Sequence, residues 1–515
     1  MLVAVVAAGC AAEAEPVGRD ESAMSLTDTA VMGSLQDRIK PLKTVRVPAP
    51  KGSAIVDQAA AVRLGKALFW DVQAGGDGQT ACASCHYAAG ADTRTKNTLA
   101  PGPDGRFASL GVTAPDQELT PGNIDNDDRV GSQGVTSMRF VGLSEDLASG
   151  ADRCEPAPSP VFGEARQVTP RNSSTVIGSV FMRELFWDGR ARGVFNGVDL
   201  TGEDGIARVE ASALASQATG PANDPIEMSC AGRGFNGPGG LGAKLLARRA
   251  LQHQHVDPTD GVLGGSALRC GDHACTYREL VAAAFGDLDA EAKFSLVWGE
   301  AIQAYEATLV PDDTPLDRYL SGDFAALTDR QKYGFWVFLA PGNCVTCHFG
   351  AELSDASWAF AEQNGLVNQD GGDVGYHNVG VRPVSGPSPE DLGRASFSRT
   401  AAPADRGAFK TPSLRNVGLT APYFHNGGKA TLADVVTFYG NWSEHADDVS
   451  ISVRQISSLV ASLPNYKDAL VDFLQNGLTD CRVAQERAPF DHPSLDVPNG
   501  PRLAAVGAEG HGVCP

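Results

Sequence analysis

Beyond its first nine positions the 515-residue sequence has no run approaching the ~20 apolar residues that a membrane-spanning helix needs, so an integral membrane protein is excluded. Basic charge is scarce. Forty-two Lys and Arg face 62 Asp and Glu, a formal net charge of −20. Nucleic acid or an anionic membrane would be repelled by such a surface, whereas a basic redox protein would be attracted. Histidine is sparse, with none between His86 and His253, and no methionine follows Met228. Each shortage restricts which metal ligands the chain can offer, and where. The remaining composition, 42% hydrophobic and 20% charged, is that of a soluble globular protein long enough for two or three cored domains.

Cysteine is more informative. Cys82-Ala83-Ser84-Cys85-His86 and Cys344-Val345-Thr346-Cys347-His348 are both C-x-x-C-H. In this pattern two thiols form thioethers to the haem vinyl groups and the following histidine ligates the iron. Structural zinc would need a second ligand pair nearby, and a redox dithiol needs no trailing histidine. The spacing therefore points to two covalently bound haem c groups. Of the other seven cysteines, Cys10 stands at the start, leaving six, enough for three disulfides in an oxidising compartment. Cys270 with Cys275 and Cys481 with Cys514 are the local pairings. Met1 to Gly9, followed by Cys10, is similar to the end of a bacterial lipoprotein signal, although it lacks a basic start. The expectation is a periplasmic or exported protein, with a lipid anchor through Cys10 as an option.

The chain is expected to be mainly α, two cytochrome c-like haem domains with long irregular loop insertions and few strands. Residues 1–24 form the leader, 25–290 the N-terminal haem domain, 291–475 the C-terminal haem domain and 476–515 an extension. Asp57 to Asp71 has helical apolar spacing and leads through glycines to the first motif. A second helix spans Ala292 to Val310 before Pro311, and a third starts at Thr328 and Asp329 and leads to the second motif. Residues 87–170 lack periodicity and are expected to form an irregular loop system, with Asp125 to Asp128 a solvated turn. Both halves share one plan: an aromatic-rich helix, a turn, then C-x-x-C-H.

Ligand counting makes the two irons unlike. Near the first motif no strong distal ligand is available unless His253, His255 or His273 crosses over, so an open position for peroxide or dioxygen is expected. The second iron can draw on His377, His425, His445 or a tyrosine such as Tyr439.

Five segments then carry a resemblance. TPRNSSTVIGSVFMRELFWDGRAR (169–192), GPANDPIEM (220–228), GAFKTPSLRNVGLTAPYFHNG (407–427), TLVPDDTPLDRYLSGD (308–323) and the haem motifs resemble, in the same order, the bacterial dihaem cytochrome c peroxidases and MauG. The resemblance implies that Trp187 lies between the haems as an electron relay. It also implies that Glu227 is the distal acid/base of the peroxidatic haem, with Gln217 and Pro221 lining its pocket. Asn172, Thr420 and Pro422 match an interdomain Ca²⁺ site, the last two through backbone oxygens, and His425 is expected beside the second haem. Two departures favour a MauG-like pattern: no histidine follows the first motif, and Tyr439 stands where ordinary peroxidases carry a methionine ligand. A phenolate would give the second haem a low potential. His445 is the rival ligand.

The function implied is reduction of H2O2 at the N-terminal haem, with electrons from a c-type cytochrome or other protein donor. The alternatives are MauG-like oxidation of a specific protein, a haem dioxygenase of the rubber-oxygenase type, and a dihaem electron carrier.

Overall fold

The computed structural model describes residues 38–102, 105–107, 117–119, 128–201, 204–364, 375–381, 391–398, 402–440 and 465–514. The leader with Cys10, His445 and positions 125–127 lie outside the described residues. Asp128 is buried.

Four helices organise the two haem units. The first, α1 (Gln58–Trp70), is capped by the Asp57 carboxylate accepting from the Ala60 amide, and buries Ala61, Leu64, Ala67 and Leu68. It crosses α2 (Phe294–Glu306), whose residues are buried throughout. The two backbones touch at Gly65, where a Cβ would lie 1.8 Å from the Ala301 carbonyl oxygen. In the second unit α3 (Asp329–Leu339) starts at Thr328, as expected, and the structure adds a capping box of Thr328 with Gln331. It crosses α4 (Tyr466–Asp472) at Gly334, where a Cβ would lie 2.1 Å from the Ala469 carbonyl oxygen. Each half thus uses one glycine to bring a helix against its partner, and the haem motif follows.

Among the described residues the strands are short and form seven two-stranded antiparallel ladders. Two of them, Gln133–Thr136 with Arg166–Val168 and Met138–Gly142 with Arg153–Pro156, lie in the stretch expected to be irregular. Strands of three to five residues complete too few alternations to register against a Gly- and Pro-rich background. The fold is mainly α with long loop insertions.

The core partition differs from the sequence expectation. α2, expected in the C-terminal unit, packs its Phe294, Val297, Trp298, Ala301 and Tyr305 into the same core as α1. Phe335, Phe338, Phe473 and Leu474 form the second core. Phe294 to Leu309 thus pack with N-terminal residues, because an apolar stripe announces burial without naming the surface that covers it. The extension from 476 also crosses over: Val483, Phe490, Leu495 and Val497 join the first core, while Ile39 near the start joins the second.

Cys270–Cys275 and Cys481–Cys514 are disulfides, as expected, and Cys154–Cys230 is the third. The four free cysteines among the described residues are those of the two C-x-x-C-H motifs. No helix among the described residues is long and apolar enough to cross a membrane.

Candidate haem-binding active site

Two cavities flank the line where the units meet. The first, of about 610 Å³, is lined by Cys82, Cys85, His86, Gln217, Pro221 and Glu227. The second, of about 260 Å³, is lined by Cys344, Cys347, His348, His377, His425 and Tyr439. Each motif starts in a single 3₁₀ turn, Cys82–Ser84 and Cys344–Thr346, so both thiols and the histidine reach one cavity. His86 Nδ1 lies 2.8 Å from the Gly90 carbonyl oxygen and His348 Nδ1 3.0 Å from that of Leu353. A carbonyl only accepts, so Nδ1 carries the hydrogen and Nε2 keeps its lone pair for a metal.

Trp187 lines both cavities. Its turn is held firmly. Phe186 adopts φ +62 and Gly189 φ +71, and a Cβ on Gly189 would sit 2.1 Å from the Tyr376 hydroxyl. Buried Asp188 accepts from Arg171 and Arg190, and the indole Nε1 donates to the Asn172 carbonyl at 2.8 Å. On the side of the second cavity, the indole makes an edge contact with His425 at 6.4 Å between centroids, and His425 stacks on Phe409 at 3.5 Å.

Glu227 sits on a turn fixed by Asp224, whose carboxylate accepts from the Ile226 and Glu227 amides at 2.8 and 3.0 Å. Burial, reinforced by the Asp224 charge and moderated by Arg190, pushes the Glu227 carboxyl up to about 7. A second carboxyl that sequence reasoning missed, Glu306 at the end of α2, lines the same cavity. Burial raises it to about 8, and its Oε2 has no hydrogen-bond partner. Its only sequence signal is its place one helical step from an apolar stripe. Met182 and Met228 also face this cavity and were likewise missed.

The crossover histidines do not close the first site. His253 and His255 are exposed, His273 is exposed and paired with Glu279, and none lines the cavity. In the second cavity His377 commits Nε2 to Asp355 at 2.7 Å, and burial beside Cys347 and Cys344 pushes the Tyr439 phenol well above the usual range. Asn172 and Pro422 meet directly, the amide Nδ2 donating to the Pro422 carbonyl at 2.6 Å, with Thr420 on the same cavity wall. A cation there would require the amide to present Oδ1 instead.

The sequence model of the family described as di-haem cytochrome c peroxidase matches residues 59–325, just over half of the chain. This chain belongs to the dihaem cytochrome c peroxidase family. The cytochrome c551 peroxidase of Pseudomonas aeruginosa is 32% identical over 314 residues, 60% of this chain and 70% of that protein. The methylamine utilization protein MauG of Methylophilus methylotrophus is 24% identical over 458 residues, 88% and 92% of the two chains. The crystal structure of a MauG-like protein associated with microbial copper homeostasis superposes with a TM-score of 0.50 and 20% identity, covering 85% of this chain and 93% of that one, a likeness of fold. The protein is accordingly a dihaem peroxidase, an oxidoreductase with haem c cofactors and hydrogen peroxide as substrate. Its residues fit those cofactors. Six of the ten described cysteines are joined in disulfides, and the remaining four stand in pairs on two cavities, each pair followed by a histidine whose Nδ1 faces a backbone carbonyl.

Proposed function

We propose that hydrogen peroxide is reduced in the N-terminal cavity and that the electrons arrive from the C-terminal haem through Trp187. When bound, the haems supply two iron centres that exchange electrons, the N-terminal one with a coordination position left for peroxide. His86 and His348 would hold the irons, Cys82, Cys85, Cys344 and Cys347 would anchor the porphyrins, and Tyr439 would be offered to the C-terminal iron. Glu227 would take the proton from one peroxide oxygen and deliver it to the other, which leaves as water, while two electrons and two protons turn the retained oxygen into the second water. Gln217 and Pro221 shape the pocket, and Trp187 carries charge between the cavities. With the Asn172 amide turned to present Oδ1, Asn172 and the Thr420 and Pro422 carbonyls would hold Ca²⁺ at the seam between the units. The donor is a small c-type cytochrome or another basic redox protein, which the net charge of −20 attracts. The setting is the periplasm.

One observation carries this reading: the first cavity has a carboxyl raised toward neutrality and, among its described lining, no histidine besides His86. MauG-like oxidation of a specific protein is the second reading, favoured by Tyr439 on the second cavity. The experiment that tests the function mixes fully oxidised, as-isolated protein with stoichiometric peroxide, with and without reduced cytochrome c. Peroxide should disappear without prior reduction, and the cytochrome should then be oxidised two per peroxide. Persistence of peroxide until the protein is first reduced would contradict the open-site reading.

A further inference from the structure

We propose that Trp70, Tyr305 and His492 form a second electron relay, leading from the N-terminal cavity to the protein surface at the C-terminal extension. The inference rests on peroxide being reduced in that cavity.

The relay begins at Phe69, which lines the cavity, its ring centroid 6.3 Å from that of His86. Phe69 meets Tyr305 edge-on at 5.5 Å and Trp70 at 6.1 Å. The Trp70 indole Nε1 donates to the Tyr305 hydroxyl at 3.1 Å, and the indole lies flat on His492 at 4.7 Å and 10°. The His492 imidazole turns its Nδ1 to the Pro493 carbonyl at 2.8 Å and its Nε2 toward Glu486, 3.3 Å away. Glu486 in turn bonds His511, whose side chain is 61% exposed. Trp70, Tyr305 and His492 are each at most 4% exposed, so between cavity and surface the path is dry and made of touching rings.

Packing alone explains this arrangement poorly. A core needs apolar volume, and a polar aromatic pair bonded head to head, stacked on an imidazole that ends at a carboxylate, adds polar groups the core must satisfy. Tryptophan and tyrosine are also the side chains most readily oxidised by one electron. Glu486 supplies negative charge beyond the imidazole, on the side where an oxidised indole would be positive. None of these contacts involves Trp187, which stands between the two cavities.

The chemistry closes on itself. Reduction of H2O2 consumes two electrons and two protons and yields two waters. When the second haem has no electrons to give, Trp70 supplies one, leaving an indole radical cation. A phenol-class reductant at the Glu486–His511 edge returns the electron and releases its own proton to solvent. Two such cycles supply both electrons.

The test exposes the holoprotein to stoichiometric peroxide without reductant, measures peroxide consumption, and maps oxygen addition on every tryptophan by peptide mass spectrometry. Trp70 should be oxidised, and Trp298, equally buried in the same core but off the path, should stay intact. Added phenol should protect Trp70, and Tyr305→Phe should diminish its oxidation. In Trp70→Phe the damage should move to other side chains. Consumed peroxide with Trp70 unmodified, or Trp70 oxidised no more than Trp298, overturns the relay alone. Absence of peroxide consumption overturns the relay together with the reading on which it rests.

Discussion

Replacing Glu227 by Gln is expected to slow peroxide consumption by ~10²-fold or more, the range assigned to a positioned acid/base. The substitution keeps the shape of the side chain and the turn capped by Asp224, so the loss isolates proton transfer. The pH profile provides the sharper check. The wild-type carboxyl is raised to about 7 by burial and by Asp224, with Arg190 pulling the other way. Its basic form must accept the first proton, so the wild-type rate should fall as pH drops below about 7. In Glu227→Gln that limb should flatten. A variant as fast as wild type, with the same acidic limb, would remove Glu227 from the mechanism and shift attention to Glu306.

The second large effect is one of stability. Lys66 of α1 is fully buried between Asp260, at 2.8 Å, and Asp491, at 3.2 Å, both equally buried. Asp260 lies between the helices Leu241–Leu246 and Tyr277–Phe285 and Asp491 in the C-terminal extension, so one ammonium ties three distant parts of the chain together. Lys66→Met keeps the apolar stem and removes the charge, leaving two carboxylates facing each other without a cation. Breaking a buried pair in this way costs about 3–5 kcal/mol. The variant should unfold at lower denaturant, and a protease should cut first between 476 and 514. A midpoint equal to wild type at neutral pH would mean that this triad contributes nothing to holding the extension.

Much of the site was legible in the sequence because chemistry fixes its spacing. Two thioethers and an axial histidine permit only C-x-x-C-H, and the shortage of histidine after His86 is a fact of the sequence. Trp187 and Glu227 came through resemblance, and the structure brings both to the first cavity. Gly65 and Gly334 lie at equivalent helix crossings, which supports the duplicated plan expected from the aromatic helices. What was not legible concerns partners. The apolar stripe on α2 foretold burial but not that α1 would cover it, and Val483 and Phe490 gave no sign that the extension returns to the first core. Glu306 escaped notice because helical periodicity does not distinguish a side chain facing a cavity from one facing the core, and Met182 and Met228 stand outside the helices, where no periodicity says which way a side chain points. Cys154 and Cys230 pair across 76 residues, a closure that no local pattern encodes.

Under the proposed function the two irons are unlike, the N-terminal one open beneath Glu227 and the C-terminal one closed by Tyr439. Electron paramagnetic resonance of the as-isolated ferric protein, wild type beside Tyr439→Phe, tests this most directly. One high-spin and one low-spin haem are expected in the wild type, with the substitution altering only the low-spin signal. Two low-spin haems in the wild type, or a low-spin signal indifferent to the loss of the phenol, would contradict it.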